Sequence, residues 1–124
     1  MAEEKTVMVV DDEETIVNIL TETLDMAGFE TIGQTSSPAA LAEFRENYSR
    51  IDLVVTDQTM PEISGLKLAE EIQKIKPGTP IILITGFMEM TAEQLWEKGI
   101  KAFLQKPLSL KNFMEAVKSL IAAE

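Results

Sequence analysis

Four short apolar runs each stop at residues able to do polar chemistry. VMVV ends at Asp11 and Asp12, LVVT at Asp57, IILI at Thr85 and AFLQ at Lys106. Carboxylates, a hydroxyl and an ammonium are therefore on offer. The chain has no cysteine and no histidine. That removes disulfides, thiol catalysis, Cys- or His-held zinc, Ser-His-Asp catalysis and any phosphohistidine within this chain. Two unit charges about 4 Å apart interact by roughly 4 kcal/mol at an effective dielectric near 20. Aspartates gathered in one place would take up protons or oppose folding unless a cation neutralised them. With oxygen ligands alone, the matching cation is Mg²⁺, with Mn²⁺ a substitute. A cation and Lys106 beside a carboxylate, with the Thr85 hydroxyl near, suit phosphoryl transfer: the positive charges neutralise phosphoryl oxygens while a carboxylate attacks in line. Asp57 is the candidate nucleophile, because the paired Asp11 and Asp12 are better placed as metal ligands. The product would be an aspartyl phosphate.

That chemistry requires the run ends to meet, so the elements carrying them matter. Strand patterns fall at Thr6–Val10, Thr31–Thr35 (interrupted by Gly33), Leu53–Thr56, Ile81–Thr85 and Ala102–Gln105. Helical patterns separate them. The first places Ile16, Leu20, Leu24 and Ala27 on one face and stops at Gly28, with Glu13 and Glu14 suited to its N-terminus. The second takes Ser37 as N-cap and Pro38 as first helical residue, then buries Leu41, Phe44 and Tyr48. The third starts near Ser64, turns Leu68, Ala69, Ile72 and Ile75 inward, and ends before Pro77-Gly78. Thr91 and Gln94 form a capping box for a short fourth helix that Gly99 ends. The fifth follows Ser109 and buries Leu110, Phe113, Val117, Leu120 and Ile121. Five strands alternating with five helices predict an α/β fold, a doubly wound parallel sheet in the order 2-1-3-4-5. Ligands of such sheets bind beyond the carboxyl ends of the strands at the switch point. Strands 1 and 3 are neighbours there, so Asp11, Asp12 and Asp57 are expected to converge.

At 124 residues the chain fits one domain spanning 1–124, and 45% hydrophobic residues support a folded core. A net charge of −10 without a basic patch argues against direct nucleic-acid binding and against contact with anionic membrane. The N-terminal MAEEK leads into no apolar run long enough for a signal peptide or a span, so a cytoplasmic location is expected.

Taken in order, VVDDEE, DLVVTDQTMPEISG, IILITG and AFLQKP make the sequence resemble the receiver domain of two-component response regulators over essentially the whole chain. The resemblance implies that Asp57 accepts a phosphoryl group from a phosphohistidine on a histidine kinase or histidine phosphotransfer domain. It implies Mg²⁺ held by Asp12 directly, Asp11 through water, Asp57, and the backbone carbonyl of Thr59. Lys106 would contact the phosphoryl oxygens, and the Lys106–Pro107 peptide bond would be cis. Thr85 would move to bond the phosphate, with Phe103 as the coupled aromatic switch. Family members commonly carry tyrosine at that position; without the hydroxyl, a switch at Phe103 must rest on packing. Phosphorylation would signal through the face made by helix 4, strand 5 and helix 5.

Softer signals surround this set. Gly86 leaves the pocket open to donors and water, and Phe87 either shields it or packs in its loop. Met88, Met90 and Trp96 offer adaptable apolar surface for a partner, with Trp96 partly exposed. The phrases TDQTMPEISG, ITGF and FLQKPLSL resemble receivers attached to hybrid sensor kinases, alongside a free-standing regulator or phosphorelay shuttle. The competing enzyme is a haloacid-dehalogenase-type phosphatase with Asp11 as nucleophile. It wants an aspartate where Glu13 stands and further aspartates downstream, yet no Asp follows Asp57. A flavodoxin-like nucleotide binder is disfavoured because acids after strand 1 would repel a cofactor phosphate.

Overall fold

A computed structural model describes residues 4–122. Met1–Glu3 of the acidic N-terminus and the end of the chain at 123–124 lie outside the described residues. Five strands form one parallel sheet: β1 (Thr6–Val10), β2 (Glu30–Gln34), β3 (Leu53–Asp57), β4 (Ile81–Thr85) and β5 (Ile100–Gln105), ordered β2-β1-β3-β4-β5. The intervening helices are α1 (Glu14–Met26), α2 (Ser37–Asn47), α3 (Gly65–Ile75), α4 (Ala92–Glu97) and α5 (Leu110–Ala122). The α/β alternation expected from the apolar runs is the alternation found.

Side chains of a strand alternate between faces, and both faces of this sheet are covered. Val7 and Val9 of β1 join Leu20 and Leu24 of α1 and Phe113 and Val117 of α5 in one core. Met8 and Val10 point the other way, towards Phe44, Leu68, Ile72 and Leu95 of α2, α3 and α4. The three central strands β1, β3 and β4 are buried along their whole length. Their continuous aliphatic runs reflect this two-sided burial.

Local chemistry moves several expected boundaries. Ser36, not Ser37, caps α2: its hydroxyl accepts from the Ala39 amide at 3.2 Å. Ser37 lies inside the helix, buried, and bonds elsewhere. Strand β2 spans Glu30–Gln34 rather than Thr31–Thr35, since Glu30 already donates its amide to Lys5. Strand β3 includes Asp57 itself. Strand β5 starts two residues early, because a register shift opposite Ile81 and Ile82 inserts Lys101 as an extra residue beside β4. Tyr48 opens a 3-10 turn, Tyr48–Arg50, and is exposed rather than inward. Ala27 and Leu110 are also exposed, the first past the last turn of α1 and the second at the first position of α5.

Candidate functional site

The carboxyl ends of β1 and β3 place three aspartates together. Carboxylate oxygens of Asp11, Asp12 and Asp57 lie within 4.8 Å of one another, with Asp11 and Asp57 buried and Asp12 exposed. Apolar strands force this geometry: Val10 and Thr56 are register partners, so Asp11 and Asp57, the next residues along each strand, must sit side by side. The β4 and β5 ends complete the rim, where Lys106 donates its backbone amide to the Thr85 carbonyl at 3.0 Å. The Lys106–Pro107 peptide bond is cis.

Lys106 Nζ stands 2.9 Å from Asp57 Oδ1. Among the described residues no second group donates to that buried oxygen. One ammonium beside three gathered carboxylates leaves negative charge uncompensated, so the group calls for an additional positive partner. The all-oxygen ligand set fits a small hard divalent cation. The electrostatics agree. Burial first, then the charges of Asp57 and Asp12, push the Asp11 carboxyl up to about 6 despite the opposing Glu13 amide and Lys106. Close contact with the Asp57 carboxylate raises Lys106 above its ordinary value, against some desolvation. Asp11 Oδ1 accepts the Glu13 amide at 2.9 Å. A cavity of about 270 Å³ opens beside the group, lined by Asp11, Glu13, Ile16, Ile84, Lys106, Pro107 and Leu108.

The remaining expected residues are arranged less uniformly. Thr85 is buried at the end of β4, and its hydroxyl donates to the Phe87 carbonyl at 3.1 Å, within its own loop. Thr59 is exposed in the loop after β3. Phe103 is 37% exposed and borders a small cleft with Trp96, Lys101 and Leu95, so it is not buried in the core. Trp96 is 57% exposed, with the Lys101 ammonium 3.7 Å from its ring centroid. Met88 and Met90 are half-buried against the α2–α4 core. Phe87 is 72% exposed and borders a cleft with Leu66, Met88 and Met90. A Cβ at Gly86 would meet nothing within 4 Å.

Gln58 and Gly65 both shape the loop after Asp57, and the first of them escaped the sequence reading. Gln58 closes the loop after Asp57, its Oε1 accepting the Leu66 amide at 2.8 Å and its carbonyl accepting the Gly65 amide at 2.9 Å. Gly65 is packed so closely that a Cβ there would lie 2.4 Å from the Asp57 carbonyl oxygen. A polar residue directly after a strand-end acid, seven positions before a helical glycine, was the sequence signal for the first.

Comparison with known proteins agrees with this geometry. The family model for the response regulator receiver domain matches residues 7–118. The chain is 34% identical over 122 residues to the polar-differentiation response regulator DivK of Brucella ovis, covering 93% of this chain and 94% of that protein. A response regulator receiver domain protein from Clostridium thermocellum superposes with a TM-score of 0.88 at 32% identity, covering 96% of this chain and 95% of that one. The chemotaxis protein CheY4 of Vibrio cholerae shares the fold, with a TM-score of 0.84 at 23% identity over 95% of this chain and 99% of its own. With its aspartate cluster, its 2-1-3-4-5 sheet and these matches, the chain belongs to the response regulator receiver domain family.

Proposed function

We propose that this chain is a phosphorylation-dependent switch that accepts a phosphoryl group on Asp57 from a phosphohistidine of a histidine kinase or phosphotransfer domain. The observation that carries the reading is the Lys106 ammonium 2.9 Å from a buried Asp57 oxygen, beside Asp11 and Asp12. Asp11, Asp12, Asp57 and the Thr59 carbonyl would hold Mg²⁺, which supplies charge neutralisation for the transferring phosphoryl oxygens. The Asp57 carboxylate attacks the phosphorus in line, forming the P–O bond as the P–N bond to the donor histidine breaks and that imidazole leaves. Lys106 offsets the negative charge that develops beside it. The Thr85 hydroxyl leaves Phe87 and turns to the new phosphoryl oxygens, drawing the β4–α4 loop with it. The α4–β5–α5 face then presents Phe103, Trp96 and the Met88–Met90 loop differently to its partner. The switch resides in one domain in the cytoplasm, alone or as the receiver of a hybrid kinase, and its chemistry is a self-modification rather than turnover.

The test is intact-mass analysis after incubation with acetyl phosphate. One phosphoryl group should be gained with Mg²⁺, and none with chelator or in Asp57→Ala. Label that persists at Asp11 in that variant would instead favour the phosphatase reading. That reading is the weaker one because Lys106 pairs with Asp57, not Asp11.

A further inference from the structure

Ser37 carries a buried hydroxyl with a use beyond helix α2. It is 2% exposed, and it crosses to the loop between β3 and α3, donating to the Pro61 carbonyl at 3.1 Å and accepting the Ile63 amide at 3.2 Å. Between those two residues Glu62 has φ 71, and the Ile63 amide also reaches the Pro61 carbonyl at 2.8 Å. This is a γ-turn of the rare, left-handed kind. A residue with a Cβ stays there only where its surroundings over-determine it. The Ser37 hydroxyl grips both ends of the turn.

The base of the same loop is closed independently. The Gln58 amide donates to the Ile84 carbonyl at 2.9 Å, and its carbonyl and side chain take the Gly65 and Leu66 amides. Thr59 and Met60 are the residues left between the Gln58 closure and the Ser37 clamp. Each has only two soft backbone dihedrals, so pinning both sides restricts where the Thr59 carbonyl points. We propose that Ser37 is a positioning residue for the Thr59 carbonyl, holding that backbone oxygen in place for Mg²⁺ from the neighbouring helix α2. The inference rests on the reading in which the Thr59 carbonyl is a ligand. Among the described residues the Ser37 hydroxyl bonds Pro61 and Ile63 and no member of the aspartate group; it acts through the turn.

Linkage makes the claim testable from both ends, because a clamp that favours cation binding must be strengthened by the cation to the same degree. Calorimetric titration with Mg²⁺ would compare the unaltered chain, Ser37→Ala and Ala42→Gly, the last a control that destabilises the same helix on its exposed side. Ser37→Ala should weaken Mg²⁺ binding about tenfold, as expected for the loss of ordinary buried hydrogen bonds. Ala42→Gly should leave the binding constant unchanged. In the unaltered chain, Mg²⁺ should slow exchange of the Ile63 amide by a similar factor. A Ser37→Ala binding constant no different from that of Ala42→Gly would overturn the proposal. So would an Ile63 amide indifferent to bound Mg²⁺, a readout that decides alone if Ser37→Ala does not fold. An unaltered chain that neither binds Mg²⁺ nor is labelled would instead defeat the underlying reading of the site.

Discussion

Replacing Gly65 by alanine tests whether Asp57 must be placed to within an ångström. A Cβ at position 65 would lie 2.4 Å from the Asp57 carbonyl oxygen and 3.0 Å from Gln58 Cα, whereas ordinary contact begins at 3.4 Å. Both obstacles are backbone, so no side chain can swing aside. The Leu83 Cδ1 contact at 2.8 Å is the softer one. Asp57 is register-paired with Ile84 of β4, and the next amide, that of Gln58, also bonds Ile84, so the strand resists retreat. Relief therefore comes from shifting α3 outward or Asp57 inward by about an ångström in total. Overpacking of this kind costs about 1–3 kcal/mol of stability, and an ångström of misplacement at a reacting group costs about 100-fold in rate. The assay is the initial rate of phosphoryl incorporation from acetyl phosphate at saturating Mg²⁺, with denaturant unfolding run in parallel. A folded Gly65→Ala protein labelled at the unaltered rate would refute the reasoning, since the acceptor would then tolerate the displacement.

Three further outcomes are expected from the same geometry. Asp11 holds its proton up to about 6 in the folded state, above its ordinary value, so the metal-free protein binds more protons folded than unfolded and loses stability as pH rises from about 4 to 6. Mg²⁺ must displace that proton at lower pH, so its effect on the melting temperature should be larger at pH 7.5 than at pH 5. Asp57→Asn removes one buried acid and leaves Lys106, 40% exposed, able to solvate; the metal-free protein should gain roughly 1 kcal/mol while its Mg²⁺ response disappears, as thermal melts with and without the cation would reveal. Ser36→Ala removes the α2 cap seen here and should cost about 1 kcal/mol in denaturant unfolding without changing Mg²⁺ affinity, unlike Ser37→Ala.

Much of this site was legible in the residues alone, and the reason is electrostatic. Acids such as Asp11, Asp12 and Asp57 at the ends of apolar runs are costly to gather, so their recurrence pointed to something positive between them. Helix ends with short-range chemistry were legible too: Thr91 and Gln94 form the capping box that their spacing predicted. Ser36 and Ser37 were harder to separate. Either can precede Pro38 as a cap, and only the position of Pro61 and Ile63, 24 and 26 residues away, decides that Ser37 is spent elsewhere. Leu110 and Tyr48 satisfied a helical stripe, but whether a stripe residue meets the sheet depends on where the helix axis runs past it.

The order of apolar runs and polar punctuation, by itself, determined a parallel sheet with aspartates and a lysine at one rim, because side-chain periodicity and crossover handedness leave few other ways to bury those strands. Tertiary structure alone decided the Lys106–Asp57 contact, the Thr85 hydroxyl bonded into its own loop, the outward Phe103, and the Ser37 clamp on the γ-turn. Those features depend on distances between segments far apart in the chain. Local preference carries no information about such distances until packing sets them.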